Sequence, residues 1–495
     1  MGIMTTNGGP ESGRDHVVIF PFMAKGHTLP LLHFATALSV HHKNLRVTLL
    51  TTPANRAFAR SRLPASVHLV ELPFPSHPPL PAGIESTDAL PCPSLYPTFL
   101  HATTLLREPF AEFMASLPSP PLVLVSDFFL GFTHRVAADA GGVRRVVFHG
   151  MSCFSMAISK AIIVNPPDGI EPGALFHVPG MPEHVAITTG DIPDTVAKFT
   201  DPEDPVARFV VDSVGDSDVR SWGILVNSFA ALEEDHVASF ESFYQPEARA
   251  WLVGPLFLAA CNKAELDEEQ DPEGCLSWLD ERASQPGSVV YVSFGTQTHV
   301  SDAQLDEIAH GLVQSGHSFL WVVRSDTWTP PVDVGPNGRI IREWVPQRSV
   351  LAHKAVGGFV SHCGWNSVME SLAAGKPVLA WPMIAEQHLN ARHVVDIIGA
   401  GVRMDVNGDI VTRTEIKEKI KKLMDTDANK VGERVRVRAA WAQQMAASAV
   451  SDGGTSRLAL QKLVEELQRT YHGGEAKCSI PTNKREANEN GQPTV

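Results

Sequence analysis

The sequence predicts an α/β protein made of two Rossmann-like, doubly wound domains. Its 495 residues exceed the roughly 250–300 residues at which a single hydrophobic core stops growing. Short β-branched runs alternate with turns and amphipathic segments, which is typical of βα units on a parallel sheet. An acidic, proline-containing stretch after Gly254-Pro255 separates two series of such units. These observations together predict two sheets, with a ligand site between them.

The same patterns predict where each domain begins and ends. We expect an N-terminal domain over residues 1–254, a linker over 255–274 and a second domain over 275–455. A helix over 456–472 would return to the first domain, and the composition of 473–495 predicts a disordered tail. The predicted strands are His16–Phe20, Arg46–Leu50, Val67–Leu72, Leu122–Val125, Arg145–Phe148 and Ile224–Asn227, then Ser288–Phe294, Phe319–Val323, Ile340–Ile341, Gly358–Ser361 and Val378–Trp381.

Composition and charge narrow the function. With 43% apolar and 19% charged residues the chain is an ordinary soluble globular protein, for which we expect a monomer. Its net charge of −14 disfavours nucleic acid and anionic membranes as partners. The six cysteines form no C-x-x-C pair, so neither a zinc ribbon nor a disulfide framework is expected. No secretory signal and no membrane span are predicted, and a cytoplasmic location is expected.

Small and polar residues follow the predicted strand Gly358–Ser361. The run His362-Cys363-Gly364-Trp365-Asn366-Ser367 opens a predicted helix there. In an open parallel sheet, anions bind the helix N-termini beyond the carboxyl ends of strands. Backbone N–H groups and these side chains would hold a diphosphate without a basic surface. Asn366 and Ser367 are equally compatible with a simple helix cap.

The surrounding pattern favours the diphosphate. It consists of Trp344-Val345-Pro346-Gln347, Leu351, His353, Phe359, the run 362–367, Glu370, Gly375, Pro377, Pro382 and Glu386-Gln387. This pattern resembles the signature box of the plant secondary-product UDP-glycosyltransferases, in family 1 of the glycosyltransferases. The resemblance continues through Gly26-His27, Ser126-Asp127-Phe128-Phe129, Val253-Gly254-Pro255 and the run Val290–Thr296. It implies a GT-B type fold, in which the two domains face a cleft.

The resemblance also implies roles within a UDP-sugar site. Trp344 would stack on uracil, the Val345 backbone would read the base, and Gln347 and Glu370 would bond the ribose. The pyrophosphate would be held by His362, Gly364, Asn366 and Ser367, and the sugar would face Trp365, Glu386 and Gln387. Thr296 stands where the family usually has Ser, and the resemblance implies that it also belongs to the UDP-sugar site. A Gln at position 387 goes with glucose in the family, so UDP-glucose is the expected donor.

The resemblance places the catalytic base in the first domain. His27 follows the first strand, in a loop that opens a helix predicted at Leu29–Val40. A neutral imidazole can take a proton from an acceptor hydroxyl, and Asp127, after another strand, would stabilise the imidazolium. As a turn cap, Asp127 would be structural instead. The reaction would be a single displacement that inverts an α-linked donor to a β-glycoside.

No cofactor or metal is expected. The D-x-D motif Asp216-Ser217-Asp218 is interpreted as a solvated loop away from any strand end. Apolar segments at Phe128–Phe132 and Cys153–Met156 indicate a small hydrophobic acceptor, such as a phenolic or flavonoid. Many family members have a sugar-contacting Thr where this chain has Gly150; His149 either substitutes for it or lines the acceptor pocket.

Two other functions have to be weighed. A nicotinamide oxidoreductase would need a complete glycine fingerprint after a strand, and Gly399–Met404 lacks the third glycine. An inactive UDP-sugar sensor would be expected to have lost the base or its partner acid, and His27 and Asp127 are both present. The sequence therefore predicts an enzyme that uses a UDP-sugar and a small-molecule acceptor.

Overall fold

The computed structural model describes residues 15–260, 271, 273–325, 327–406, 408–427 and 430–478, with side chains in the last helix as far as 471. Residues 261–270 of the predicted linker and 479–495 of the predicted tail lie outside these ranges. In the described part of the chain, no helix combines the length and apolar character needed to cross a membrane.

Seven parallel strands form the first sheet, in the order β3-β2-β1-β4-β5-β8-β9. They are β1 Asp15–Phe20, β2 Leu45–Thr51, β3 Val67–Glu71, β4 Val123–Asp127, β5 Arg145–Phe148, β8 Gly223–Val226 and β9 Ala250–Leu252. A separate antiparallel pair is made of β6 Phe176–His177 and β7 Ala186–Ile187. The chain order reverses between β1 and β4, which is where ligands bind in doubly wound sheets.

Six parallel strands form the second sheet, in the order β12-β11-β10-β13-β14-β15. They are β10 Val289–Ser293, β11 Ser318–Val322, β12 Gly338–Ile341, β13 Val356–Ser361, β14 Val378–Ala380 and β15 Gly401–Arg403. Here the order reverses between β10 and β13. The predicted fold class, two doubly wound α/β domains, is confirmed.

Helices cover the sheets. In the first half they are α1 Lys25–His41, α2 Arg56–Arg60, α3 Tyr96–Thr104, α4 Arg107–Ser116, α5 Phe132–Asp139, α6 Cys153–Val164, α7 Asp194–Ala197, α8 Pro205–Ser213, α9 Gly215–Val219, α10 Ala230–Glu241 and α11 Leu256–Ala259. In the second they are α12 Cys275–Asp280, α13 Asp302–Ser315, α14 Gln347–Ala352, α15 Trp365–Ala373, α16 Gln387–Arg392, a π-helical turn His393–Ile398, α17 Arg413–Met424, α18 Val431–Val450 and α19 Thr455–Cys478.

The last helix, α19, packs on the first domain. Leu460, Leu463 and Leu467 are buried in the same apolar core as Val17 of β1. At the start of the helix, the Ser456 hydroxyl donates to the Gly254 carbonyl over 2.6 Å. The final helix thus lies across the junction between the two sheets.

The D-x-D motif is not a solvated loop, and that interpretation was wrong. Its residues lie in the short helix α9, and Asp218 is buried. The carboxylate pairs with Lys160 and with His149, whose Nε2 lies 2.9 Å from Asp218 Oδ1. Tyr244 donates to the same carboxylate over 3.0 Å. Three partners distant in sequence make this burial tolerable, and the local polar pattern could not reveal them.

An aromatic stack joins the two domains. The His393 ring lies between Phe154, with centroids 4.6 Å apart, and Trp365, at 5.8 Å. Glu233 of α10 lies beneath it, with one carboxylate oxygen 3.5 Å from His393 Nδ1. Burial raises the pKa of Glu233 to about 8, although the Phe154 and Cys153 backbones and the Cys153 thiol lower it. Burial also lowers the pKa of His393 to about 3, so that ring is neutral at physiological pH.

Glu233 is expected to make stability depend on pH. Its pKa rises from an ordinary value near 4.5 to about 8 on folding, so the folded state loses stability as the pH rises between these values. The loss is at most about 1.4 kcal/mol per pH unit. Glu233→Gln should remove this dependence, so the thermal midpoint of the variant relative to that of the wild type should increase from pH 5 to pH 8. Glu234→Gln, at the exposed next position, is the control. If the thermal midpoints of Glu233→Gln and of the wild type change with pH in parallel, the prediction is contradicted.

Candidate active site

A histidine–aspartate pair lies at the switch point of the first sheet. Asp127 is the last residue of β4 and its side chain is fully buried, whereas His27 is 20% exposed. His27 Nδ1 lies 2.8 Å from Asp127 Oδ2. The second carboxylate oxygen accepts the Phe129 backbone N–H over 3.1 Å, so Asp127 is also the turn cap considered above. The imidazole is thereby oriented with its Nε2 left for another partner.

His27 does not lie in a loop. The helix α1 begins at Lys25 rather than at Leu29, which makes His27 its third residue. The first turn is set by backbone bonds from His27 and Thr28 to the Ala24 carbonyl, at 2.9 and 2.8 Å. Sequence reasoning placed the start too late because Gly26 suggested loop structure.

The electrostatics around His27 favour proton uptake. Burial opposes a charge on the ring, but the charge of Asp127 and its hydrogen bond, helped by the charge of Glu386, outweigh that effect. The pKa of His27 is therefore raised above its usual 6.5. A base with this environment is a stronger proton acceptor than free imidazole, and the imidazolium it forms is stabilised in place.

Aromatic rings form one wall beside His27. Phe22 and Phe129 each lie with their centroids 5.6 Å from the imidazole and contact each other at 4.8 Å. A Cβ placed on Gly150 would come within 3.5 Å of His27 Nδ1, so the missing side chain leaves space there. His149 points elsewhere, onto Asp218, and does not replace a side chain at position 150. Cys153–Met156, predicted to line the acceptor pocket, is buried in the interior instead.

The second half of the site is the N-terminus of α15. Gly364 is its N-cap and has no side chain to satisfy the first N–H groups of the helix. The preceding residue, Cys363, turns the chain sharply with φ 65°. Such a terminus favours an anion, because unpaired N–H groups and the helix dipole point toward it. The simple cap by Asn366 or Ser367 is not what the structure shows.

His362 is wedged between two glycines at this terminus. A Cβ on Gly295 would lie 2.7 Å from His362 Nε2, and one on Gly364 would lie 2.6 Å from the same atom. Burial lowers the pKa of His362 to about 4, although a hydrogen bond with the Ser293 backbone raises it. The ring is therefore neutral near pH 7 and can offer a phosphate a hydrogen bond rather than a charge. Thr296 follows Gly295 and is exposed at the same edge.

Gly364→Ala is expected to weaken UDP binding about tenfold, equivalent to about 1.4 kcal/mol. The added methyl would displace the His362 ring, while φ of −57° at this position imposes no backbone penalty. Calorimetric titration with UDP measures the change. Gly215→Ala, where the nearest atom would be 3.6 Å from the new Cβ, is the control. Equal affinities for the two variants would contradict the assigned role of this terminus.

Polar side chains of α14 and α15, with Tyr291 of β10, form one network. Gln347 Nε2 donates to Ser367 Oγ over 3.1 Å and to Glu370 Oε2 over 2.8 Å, and Gln347 Oε1 accepts from the Tyr291 hydroxyl over 3.1 Å. These bonds orient the amide and carboxylate predicted to face a ribose.

Trp344 and Val345 lie at the start of the predicted box. The Trp344 ring is 36% exposed, whereas the Val345 side chain is buried, so that only its backbone is offered to a ligand. The ammonium of Lys25 lies 4.8 Å from the Trp344 ring centre, across the cleft.

Two box residues make contacts between the domains. Asn366 Nδ2 donates to the Gly26 carbonyl over 2.6 Å, next to His27. The Trp365 indole is buried and donates to the Asn227 carbonyl over 3.0 Å. Trp365 can therefore face a ligand only through its backbone, and its side chain packs in the interface.

The predicted sugar-binding residues open α16. Gln387 Oε1 accepts the N–H groups of Met383 and Ile384, both at 3.0 Å, which leaves its amino group for a ligand. Glu386 accepts from Asn390 Nδ2 over 3.2 Å. Burial raises the pKa of Glu386, and its own backbone N–H, His27 and Asn390 oppose the rise. The interaction with His27 places the predicted sugar-binding residues next to the predicted base.

Residues that sequence reasoning missed hold the two halves together. Asp191 is fully buried and binds Arg392 and Arg403 of the second domain, both at 2.7 Å. Asn390 donates to the Cys363 carbonyl over 3.0 Å and accepts from Ser155 over 2.7 Å. These partners are far apart in sequence, and no local pattern marks them.

The oxidoreductase alternative fails on geometry. Gly401–Arg403 is strand β15 itself, so the glycines around it do not form a turn between a strand and a helix. Among the residues that the structure describes, no group of three or more His, Cys, Asp or Glu side chains is arranged to hold a metal ion.

Comparison with known proteins identifies the family to which the chain is similar. Residues 254–433 match the family model described as UDP-glucoronosyl and UDP-glucosyl transferase. UDP-glycosyltransferase 90A1 of Arabidopsis thaliana is 37% identical over 91% of this chain and 96% of its own length. Flavonol 3-O-glucosyltransferase UGT89B1 from the same plant is 34% identical over 90% and 94%.

A solved structure supports the fold. Glycyrrhiza uralensis UGT73P12, complexed with glycyrrhetinic acid 3-O-monoglucuronide, superposes with a TM-score of 0.83 at 30% identity, covering 94% of this chain and 98% of that one. Such similarity extends over nearly the whole of both chains. The chain belongs to the plant UDP-glycosyltransferase family and is an enzyme of that family.

Proposed function

We propose that this chain is an inverting, UDP-glucose-dependent glycosyltransferase that moves glucose onto a hydroxyl of a small hydrophobic acceptor and releases a β-glucoside. The observation that carries the proposal is the His27–Asp127 pair, 2.8 Å apart and joined to the donor-side helix through Asn366 and Gly26. His27 Nε2 would take the acceptor proton as the oxygen attacks the anomeric carbon. UDP would leave on the opposite side, which inverts the configuration.

The donor end supports glucose. Trp344 would stack on uracil beside the Val345 backbone, and Gln347 with Glu370 would bind the ribose. The terminus of α15 with His362 and Ser367 would hold the pyrophosphate, and Thr296 would lie beside it. Gln387, with its amino group free of the loop, and Glu386 would bind the sugar hydroxyls. Since N–H groups and a neutral histidine would meet the charge, the mechanism needs no metal ion.

The acceptor end supports a flat apolar molecule. Phe22 and Phe129 flank the base, and Tyr96, whose pKa is raised by burial and by the charges of Asp127 and Glu386, adds a third ring at this end. One relative is named for glucosylating a flavonol at its 3-hydroxyl, and a solved neighbour holds a glycyrrhetinic acid derivative. A phenolic or flavonoid acceptor fits this wall.

A panel of aglycones offered with UDP-glucose and with UDP-galactose, analysed by product mass, tests the proposal. We expect a hexoside of at least one phenolic, with UDP-glucose preferred by about tenfold or more in kcat/KM, because a misplaced hydroxyl leaves a buried polar group unpaired. Saturable UDP-glucose binding without transfer to any acceptor would support the sensor function instead.

A further inference from the structure

Two asparagine side chains connect the domain junction to the turn that carries His27. The Leu256 backbone N–H donates to Asn227 Oδ1 over 2.9 Å. Asn227 Nδ2 donates to Asn366 Oδ1 over 3.3 Å, and Asn366 Nδ2 donates to the Gly26 carbonyl over 2.6 Å. Because Asn227 must accept from an N–H on one side, its amide orientation is fixed, and that of Asn366 follows. The bonds all run in one direction, so each can polarise the next.

The Gly26 carbonyl is available to this chain of bonds because of Pro30. In an α-helix the carbonyl of residue 26 accepts the N–H of residue 30, and proline has no N–H. The bond from Asn366 takes the place of the missing helical bond. It therefore holds the first turn of α1 at the peptide unit that leads directly into His27.

Asn227 is built into the junction. It follows the carboxyl end of β8, is only 3% exposed, and its backbone carbonyl accepts the Trp365 indole N–H. A Cβ on Gly254 would come within 2.7 Å of Asn227 Oδ1, so the junction segment packs directly on this side chain. Asn366 uses one of its two Nδ2 hydrogens on Gly26, which leaves the other for a donor phosphate.

We propose that Asn227 is a positioning residue for transfer: it orients Asn366, so that the donor helix and the turn bearing the base keep one geometry across the cleft. This inference rests on the proposed function, because His27 must be the base for its placement to matter. Asn227 is only 3% exposed and is not among the proposed donor or acceptor contacts, so its loss should affect turnover far more than donor affinity. A misplaced base lowers the rate even when both substrates still bind.

Asn227→Ala tests the inference. We expect kcat to fall about tenfold or more, with KM for UDP-glucose changed less than about threefold. The acid limb of the kcat/KM profile should stay in place, because the His27–Asp127 bond is untouched. Asn227→Asp, which keeps an acceptor for Leu256 and loses the donor to Asn366, should show the same fall in kcat even if the alanine variant folds poorly. Asn165→Asp, at an exposed position, controls for the added charge.

A double-mutant cycle separates positioning from simple support of the junction. In an Asn366→Ala background, Asn227→Ala should lower kcat by less than about twofold, because its effect passes through Asn366. The inference would be overturned if the effects of Asn227→Ala and Asn366→Ala on kcat were additive. It would also be overturned if the wild type is active and the Asn227 variants have the same kcat. A wild type without transfer to any acceptor would instead remove the proposed function, and this inference with it.

Discussion

Replacing His27 by alanine is expected to lower kcat by about 10²–10⁴-fold, the usual contribution of a positioned general base. The ring has Nδ1 on buried Asp127 and offers Nε2 to the cleft, so the variant lacks the group that is positioned to take the acceptor proton. UDP affinity should change little, because the proposed donor contacts lie on the other domain. Steady-state transfer to an aglycone accepted by the wild type, together with UDP titration, measures both quantities. Undiminished turnover would refute the role of His27 as base.

Asp127→Asn extends this test to pH. The carboxylate raises the pKa of His27, and the base must be neutral to work, so the acid limb of kcat/KM should lie above pH 6.5. Without the charge that limb should move to lower pH, while kcat falls because the imidazolium loses its partner. His317→Ala, at the amino end of β11 and so at the opposite edge of its sheet, is the control and should alter neither quantity. An unmoved limb would contradict coupling between the two residues.

Asp191→Asn is expected to be the most destabilising single polar substitution considered, at about 3–5 kcal/mol. Asp191 is fully buried and its two oxygens bind Arg392 and Arg403, which are only 15% and 29% exposed. These arginines, with the Thr188 backbone, keep the pKa of Asp191 below its usual value despite burial. Removing the charge would take away the carboxylate partner of Arg403 and one of the two carboxylate partners of Arg392, which also pairs with Asp396. Chemical and thermal unfolding measure the loss.

Asp212→Asn is the matched control for that variant. Asp212 also accepts twice from an arginine, Arg208, but both side chains are more than half exposed, so the pair contributes little to stability. Because Arg392 belongs to α16, Asp191→Asn should also raise KM for UDP-glucose by loosening the residues that open this helix. Equal unfolding profiles for the two variants would show that the buried cluster does not hold the domains together.

The parts of the fold that could be predicted are those whose pattern is local. The strand Val289–Ser293 is buried on both faces and therefore reads as a continuous apolar run. The strands Ala250–Leu252 and Gly401–Arg403 lie at the sheet edges and were not predicted. Each has only three residues, which is too short for a hydrophobic periodicity to be recognised in the sequence. Asp218 looked solvated because its partners come from three other segments.

The same distinction holds for the site. The donor half follows one contiguous stretch of sequence, so its helix terminus and the network around Gln347 could be anticipated. His27 and Asp127 are a hundred positions apart, and only resemblance to a family paired them before the 2.8 Å contact was seen. Asn227 and Asp191 act on residues 139 and 201 positions away, across the domain interface. Contacts of that kind arise from packing the two domains, and composition or periodicity does not encode them.

The anomeric configuration of the product tests the central claim most directly. With UDP-glucose as donor and an accepted phenol, proton NMR of the purified glycoside distinguishes the two anomers by the coupling of the anomeric proton. In-line attack by an oxygen deprotonated at His27, with UDP leaving on the far side, predicts the β-glucoside. An α-glucoside would contradict the single displacement across this cleft.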